Sequence, residues 1–279
     1  MTRPLIIDTF PINDEMDILE CRLDTMADAV DYVIAVEADV DHQDHPKPYH
    51  LSDNPGRFDK WADKLIIVRA TGLPTADDDP DPWARELAQR EYVHDGLLEI
   101  DRRAGLNADT IILHGDVDEI CRPVHVRNVR PKLPERPTLL PDGTVDLGFV
   151  SFSQRGHFFA VDWLHPEPWG GTVAGTLEQV SMIGKFHKMR NTRNWNVTGL
   201  DDAGWHLSWL GGQEATMAKL NAFCHPEVAE RTELGLQTDR YLREGMHLDG
   251  RRMTAVDVDE DWPPYVFERR CPPGWFRPR

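Results

Sequence analysis

Short apolar runs that end abruptly in polar residues predict buried β-strands in the first part of the chain. Such runs lie at residues 5–10, 31–37, 64–69 and 109–114. Between them, apolar residues recur at helical spacing and predict helices over 54–63 and 83–103. A further helix is expected after the first strand, capped by Asn13 or Asp14. Since helical crossovers join parallel strands, the pattern predicts an α/β fold with a Rossmann-like, mostly parallel sheet flanked by helices.

The pattern changes after residue 123, where aromatic residues, glycine and proline become frequent. Elements are predicted there at 124–132 (helix), 145–154 (strand), 213–223, 227–234 and 237–245 (helices). We expect residues 1–261 to form one domain, divided into a nucleotide-binding half (1–121) and a second half (122–261) that completes the same sheet and supplies the site of the second substrate, the acceptor side. The proline-rich tail, 262–279, is expected to wrap the surface without regular structure.

An acidic motif follows the fourth predicted strand. Asp116, Asp118 and Glu119 come directly after the apolar run that ends in His114. Ligands bind at the carboxyl ends of parallel strands. Clustered carboxylates repel one another unless they share a cation. Taken alone, this D-x-D segment is either a divalent-metal site for a phosphorylated substrate or a solvated acidic turn.

Overall charge and missing motifs exclude several classes of protein. The 279 residues carry a formal charge of −17, which argues against nucleic acid as a partner. It also means that a phosphate-bearing substrate needs local positive charge. The chain lacks G-x-G-x-x-G after the first strand and lacks a P-loop, which argues against a dinucleotide oxidoreductase and a P-loop NTPase.

Location is predicted from apolar runs and cysteines. No apolar run reaches the roughly 18 residues that suggest a membrane span. The N-terminus does not read as a signal peptide, and the cysteines are widely separated. We therefore expect a cytoplasmic protein with free thiols.

Several segments, in order, resemble one known family. They are 10–23, Val36-Glu37, Gln89-Arg90, 115–120, 204–208 with Gly211-Gly212, Lys219-Leu220 and 225–227. Together they resemble glycosyltransferase family 17, from about residue 5 to about 230. This is the family of the β-1,4-N-acetylglucosaminyltransferase that adds the bisecting GlcNAc to N-glycans.

The resemblance implies a GT-A fold and a metal-dependent, inverting hexosyltransferase. The implied cofactor is Mn²⁺ or Mg²⁺, and the implied donor is a UDP-sugar, in the first place UDP-GlcNAc. The acceptor would be a glycan, a glycoprotein or a protein. Animal members carry a membrane anchor, and the loop 42–45 departs from the family pattern. A bacterial or phage enzyme is therefore expected, with donor and acceptor left open.

The acidic motif becomes the expected metal site under this resemblance. Asp118 is the first candidate for a direct ligand, and Asp116 would contact the metal or the ribose. Glu119 would support the turn or bind the sugar. His206 would be a third metal ligand or a phosphate contact, or else a core histidine.

The resemblance also implies donor-binding residues. They are Phe10, Asn13, Glu15 and Glu37 around the base and ribose, with Arg90 and Lys185 at the phosphates. Arg90 would otherwise lock Asp116, and Arg90 and Glu37 are equally well interpreted as structural ion-pair residues. An inverting mechanism needs a general base. Asp162, Glu178 and Glu214 are candidates, Asp162 because it lies among aromatic residues, but none stands out.

Two other functions stay open at this point. A metal-dependent nucleotidyltransferase or phosphohydrolase would use the same acidic strand end, with Asp8 and Glu37 as further carboxylates. A catalytically silent sugar-binding module would use the aromatic residues as a platform.

Overall fold

The computed structural model describes residues 3–135, 137–139, 145–194, 198–224 and 233–278. Parallel strands organise the first half in the spatial order β4-β1-β2-β3. They are β1 (Ile6–Pro11), β2 (Tyr32–Ala38), β3 (Leu65–Ala70) and β4 (Ile111–His114). Each predicted strand of this half is present close to its predicted bounds, because each is a short apolar run that the sheet buries on both faces.

Helices connect these strands. They are α1 (Met16–Met26), the 3₁₀ helix Pro55–Trp61, α2 (Pro82–Glu91) and α3 (Val93–Ala104). The single long helix expected over 83–103 is wrong, since it is broken at Tyr92. The Tyr92 N–H bonds to the Gln89 carbonyl at 3.2 Å, a tight 3₁₀-type turn in place of an α-helical bond. The expected cap of α1 also differs, because Glu15 holds the N-cap position without a side-chain capping bond.

The two faces of the parallel sheet pack against different helices. Ile6 and Phe10 belong to the apolar cluster that includes α1, whereas Ile7 and Ile34 belong to the cluster that includes α3. This alternation is the two-residue period of a strand. Helix α3 approaches closely at Gly96, where a Cβ atom would lie 2.6 Å from the Ile34 side chain.

The second half extends the same sheet and adds helices around it. Its elements are β5 (Glu119–Cys121), α4 (Pro123–Arg127), the 3₁₀ helix Arg130–Lys132, β6 (Thr138–Leu139), β7 (Val145–Asp146), β8 (Val150–Phe158), β9 (Trp163–Leu164), β10 (Trp169–Thr176), α5 (Leu177–Ile183), α6 (Phe186–Asn191), the 3₁₀ helix Thr192–Asn194, β11 (Thr198–Leu200), β12 (Gly204–Ser208), α7 (Gly212–Ala222), α8 (Glu233–Glu244) and β13 (Thr254–Ala255). The predicted strand 145–154 is split into β7 and β8, and the predicted helix 124–132 into α4 and a 3₁₀ turn. Most of the helix predicted at 227–234 lies outside the described residues.

Strand β10 joins the two halves. It pairs antiparallel with β4 on one side and antiparallel with β8 on the other. Strand β12 runs parallel to β8 and antiparallel to β5, which places it beside the acidic turn between β4 and β5. The predicted α/β class is confirmed, with a parallel region flanked by helices and an antiparallel extension.

The C-terminal segment packs into the core, so the expected surface wrap without regular structure is wrong. It contains α9 (Pro264–Phe267) and the 3₁₀ helix Pro273–Trp275. Its buried side chains join the cluster that includes α1: Trp262, Tyr265, Val266, Cys271 and Trp275. Large aromatic and apolar groups gain most from removal from water, which explains why this proline-rich segment is held. Within the described part of the chain, no helix is both long and apolar enough to cross a membrane.

Candidate active site

The acidic turn is held from below by a buried arginine. Arg22 of α1 donates from Nη1 to the carbonyls of Asp116 (3.0 Å), Val117 (3.2 Å) and Glu119 (2.7 Å). The same guanidinium makes a bidentate pair with Asp8 of β1, at 2.7 and 2.6 Å. Because one rigid group binds three carbonyls, the backbone of the turn has a defined shape before any ligand arrives.

Gly115 is required by the close packing beneath the turn. A Cβ atom here would lie 2.4 Å from Thr172 Oγ1 and 2.6 Å from Glu119 Oε2. Thr172 belongs to β10, so the turn and the strand that joins the two halves are in direct contact.

Asp116 is paired with arginines from two helices. Its Oδ1 accepts from Arg90 of α2, and its Oδ2 accepts from Arg190 of α6 at 2.8 Å. Burial acts to raise the pKa of Asp116, but the charges of Arg190 and Arg90 outweigh it and hold that pKa well below its ordinary value. Arg90 also pairs with Glu86 of its own helix, so this buried arginine holds the Asp116 carboxylate against α2.

Asp118 faces a lysine and a histidine. Lys219 Nζ of α7 lies 3.1 Å from Asp118 Oδ2, and His206 Nε2 of β12 lies 3.5 Å from Oδ1. Burial acts to raise the pKa of Asp118, and Lys219 and His206 together lower it below its ordinary value. The carboxylate is ionised and oriented.

Glu119 is a buried support of the turn. Its carboxylate accepts hydrogen bonds from Trp169 Nε1 (2.8 Å), Arg193 Nη1 (3.2 Å) and Arg190, and from the backbone N–H of Asp116 (3.1 Å). Trp169 in turn stacks on the His206 ring, with centroids 4.3 Å apart and planes 15° apart. Glu119 thus connects the turn to the histidine that faces Asp118.

Charge at the turn is balanced locally. Among the described residues, its three carboxylates meet four cationic side chains: Arg90, Arg190, Arg193 and Lys219. The chain as a whole carries a formal charge of −17, so four cationic side chains at one turn stand out from its overall composition. Fixed cations next to a hydrogen-bonding turn suit an anionic ligand such as a diphosphate.

A divalent metal fits part of the predicted ligand set. Asp118 Oδ1 and His206 Nε2 are 3.5 Å apart, a separation compatible with two ligands of one ion, and His206 is otherwise held by Trp169. Asp116 is directed elsewhere, because its two oxygens accept from Arg90 and Arg190. Among the described residues, Asp116, Asp118 and His206 do not form a group of converging ligand atoms. The fit therefore rests on Asp118 and His206, with the remaining positions left for a ligand or water.

The loop after β1 also reaches this site. The Glu15 carboxylate accepts from the backbone N–H groups of Asn13 (2.9 Å) and Asp14 (3.2 Å). Burial raises the pKa of Glu15, against the charge of Lys219. Asn13 Oδ1 is buried and has no hydrogen-bond partner among the described residues. Glu15 thus lies within the electrostatic reach of Lys219 and Asp118, and Asn13 is hydrogen-bonded to it.

Phe10 and Glu37 lie in the interior instead. Phe10 is fully buried, and the Arg22 guanidinium stacks 4.5 Å from its ring centroid. Glu37 is also fully buried and accepts from the backbone N–H groups of Leu51 and Ser52, each at 2.9 Å. These positions differ from the expected base and ribose contacts, because both side chains complete internal packing and loop anchoring.

The other predicted residues are exposed or paired with another side chain. Lys185 is exposed at the start of α6. Both oxygens of Asp162 accept from Arg277, at 3.0 Å from its N–H and 2.9 Å from its Nε. This ion pair with the C-terminal segment corrects the idea of Asp162 as a free base. Glu178 and Glu214 are exposed.

Sequence reasoning did not assign Arg190, Arg193 or Trp169 to the site. Lys219 lies in a segment that carries the family resemblance, but it had no role. The overall charge indicated that local cations were needed, yet it did not indicate which ones. Arg190 is 74 positions from Asp116, and Lys219 is 101 positions from Asp118, so no local pattern connects them.

Comparison with known proteins supplies the class. The family model of glycosyltransferase family 17 matches residues 1–140, which is half of the chain. The matched part includes β1, α1, Arg90 and the acidic turn. An α/β protein with this match is a glycosyltransferase. More specifically, the chain belongs to glycosyltransferase family 17.

Other comparisons add little. No curated protein matches the chain. A crystal structure of 4-diphosphocytidyl-2C-methyl-D-erythritol synthase is similar at 9% identity, with a TM-score of 0.37, over 71% of this chain and 89% of that one. The apo crystal structure of mouse xyloside xylosyltransferase 1 is similar at 9% identity, with a TM-score of 0.29, over 66% and 71% of the two chains. At these TM-scores, neither similarity identifies a substrate.

Proposed function

We propose that the protein transfers a sugar from a UDP-sugar, in the first place UDP-GlcNAc, to a hydroxyl group of a glycan or protein acceptor. The observation that carries this proposal is the acidic turn at the end of β4 with its ring of cations. A nucleotide diphosphate leaving group gains negative charge as the glycosidic bond breaks. Cations fixed in advance at that place stabilise the transition state without reorganisation.

The residues divide into positioning and binding roles. Arg22 and Arg90 position the turn, the first through its carbonyls and the second through Asp116. Arg193 and Lys219 are partly exposed, with 22% and 24% of their side chains accessible, so they are the cations available to a bound diphosphate. Asn13 and Glu15 would lie near the nucleoside, on the Lys219 side.

A Mn²⁺ or Mg²⁺ ion would be held by Asp118 and His206. When bound, such an ion supplies a Lewis acid that offsets charge on the diphosphate. Trp169 and Lys219 keep the two side chains aimed at each other. The His206 ring is nearly buried, which limits the number of orientations that it can adopt.

The nucleotidyltransferase alternative loses its further carboxylates. Asp8 is bound bidentately by Arg22, and Glu37 by the loop at Leu51 and Ser52. A two-metal site needs additional free carboxylates near the first ion. Neither residue is free to supply one.

A donor panel with a matched pair of variants tests the proposal. Release of free nucleotide is measured with UDP-, GDP- and CMP-sugars, with and without Mn²⁺, for wild type, Asp118→Asn and Asp95→Asn. Asp95 is an exposed aspartate on α3 and is the control. We expect UDP-GlcNAc turnover with Mn²⁺ and a loss of about 100-fold or more in Asp118→Asn.

Binding is measured separately by thermal shift. Mn²⁺ with UDP should raise the melting temperature of wild type and of Asp95→Asn, but not that of Asp118→Asn. Cleavage of a nucleoside triphosphate faster than any nucleotide sugar would contradict the proposal. Equal turnover by Asp118→Asn and Asp95→Asn would contradict the role of Asp118.

A further inference from the structure

A second cluster of potential metal ligands lies outside the acidic turn. His165 follows β9, and His247 and Asp249 lie in the loop between α8 and β13. His165 Nε2 is 3.2 Å from Asp249 Oδ2, and His247 Nδ1 is 2.9 Å from Asp249 Oδ1. One ligand atom from each residue lies within 4.8 Å of the other two. Atoms that each lie about 2.0–2.2 Å from one shared ion must lie about as close to one another as the atoms of this cluster do.

The surroundings of the cluster suit imidazole ligands. His165 Nδ1 lies 3.0 Å from the Glu167 carbonyl oxygen and 3.2 Å from the Glu167 N–H, so the backbone of Glu167 holds the ring in place. When Nδ1 donates to that carbonyl, Nε2 presents its lone pair to the Asp249 carboxylate 3.2 Å away, and a cation between the two removes their repulsion. Phe158 packs against both imidazoles, at ring-centroid distances of 5.7 and 4.3 Å.

Exposure defines how an ion would enter. The side chains of His165 and His247 are 9% and 15% exposed, whereas that of Asp249 is 37% exposed. The two histidines therefore form the buried side of the cluster, and the Asp249 carboxylate forms the side that solvent reaches. Arg251 lies at this opening, with its Nε 3.6 Å from Asp249 Oδ2 and its Nη1 paired with Glu167. Arg251 therefore competes with a metal ion for the Asp249 carboxylate, and an ion that binds there must displace it.

We propose that His165, His247 and Asp249 bind one Zn²⁺ ion, with a fourth position open to solvent. Two imidazoles and one carboxylate favour Zn²⁺ over Mg²⁺ and Ca²⁺, which prefer oxygen ligands. They also favour Zn²⁺ over Mn²⁺ in the general order of affinities. The ion connects the loop after α8 to the edge of β9. The Phe158 and His206 rings pack in a T-shaped arrangement with their centroids 5.3 Å apart, so this loop is one aromatic ring away from the acidic turn.

Zinc titration of the chelator-treated full chain tests the site. Bound metal is counted by mass spectrometry, and Co²⁺ is used as a second probe because its visible absorption reports the coordination geometry. The variants are His247→Asn, Asp249→Asn and, as the matched control at the other site, Asp118→Asn. We expect one Zn²⁺ per chain at micromolar or lower free ion in wild type and in Asp118→Asn.

Removal of a ligand should weaken Zn²⁺ binding in His247→Asn by more than about 100-fold, since changes of outer-shell partners alone cost about 10- to 100-fold. Circular dichroism establishes that the variants are folded, and the more exposed Asp249→Asn carries the test if His247→Asn is not. The proposal is overturned if wild type fails to bind micromolar Zn²⁺, or if Zn²⁺ is lost in Asp118→Asn and retained in Asp249→Asn. Because the readout is metal content, failure here is independent of failure to turn over a UDP-sugar.

Discussion

The first half of the chain shapes the acidic turn, whereas the second half supplies most of the charge around it. Arg22 and Asp8 belong to α1 and β1, and they hold the backbone of the turn by buried hydrogen bonds. Arg190, Arg193 and Lys219 belong to the second half, and they face the carboxylates. The comparison teaches that the geometry and the electrostatics of one site are encoded in separate parts of the chain. Variants in the two halves should therefore fail in different ways.

The largest effect is expected on stability, from Arg22→Met. The change leaves Asp8 buried without its partner and removes the bonds to three carbonyls of the turn. Breaking a buried ion pair in this way costs about 3–5 kcal/mol. Urea denaturation measures the free energy of unfolding.

The control for Arg22 is Arg57→Met, which removes an arginine that pairs with Asp17 and Glu20 at the surface. Its cost should be about 1 kcal/mol or less, because solvent screens such pairs. If the two variants lost equal stability, the buried pair would not be what holds the turn.

An intermediate effect is expected on activity, from Lys219→Met in the second half. Loss of one fixed charge at the diphosphate should lower kcat/KM for the donor about 100-fold, as for the loss of one transition-state donor. Stability should change much less than in Arg22→Met, since Lys219 is partly exposed. Steady-state kinetics and urea denaturation are measured on the same preparation.

Two further lysine variants sharpen this result. Lys219→Arg keeps the charge and should recover part of the activity, whereas Lys188→Met removes an exposed lysine of α6 and should leave kinetics unchanged. A loss in Lys219→Met no greater than in Lys188→Met would show that the charge of Lys219 is not used.

The smallest effect is expected on stability in acid, where protonation of Asp118 in the first half removes its ion pair with Lys219 in the second half. Burial opposes the ionised form of Asp118, but Lys219 and His206 lower its folded-state pKa below that of the unfolded chain. Its contribution to stability is therefore fully present above the ordinary carboxyl pKa, about 3.9. It is lost as pH falls from there through the folded-state pKa.

Urea midpoints between neutral pH and acid test this linkage. The stability difference between wild type and Asp118→Asn should be constant down to about pH 5 and shrink below about pH 4. Asp95→Asn should follow the wild-type curve throughout. A difference that grew on acidification would mean that the cations do not stabilise the Asp118 carboxylate.

The local pattern of apolar and polar residues was sufficient to predict the strands of the first half. β1 to β4 follow from short apolar runs, and the acidic turn follows from its place after β4. The break at Tyr92 and the burial of Trp262 and Trp275 were not predicted. A helix break of one residue leaves the apolar spacing almost unchanged, and the composition of a tail does not indicate which surface will receive it.

The sequence by itself determined the class of fold, the position of the D-x-D carboxylates at the end of a parallel strand, and the need for local positive charge in a chain of −17. Tertiary structure decided which side chains meet that need and which predicted residues are withdrawn into the interior. Arg190 and Lys219 reach the turn across 74 and 101 positions, whereas Phe10 and Glu37 are enclosed by their own neighbours. The physical reason is that hydrophobic periodicity reports which face of an element is buried, but the partners of a charged group depend on how distant elements pack together.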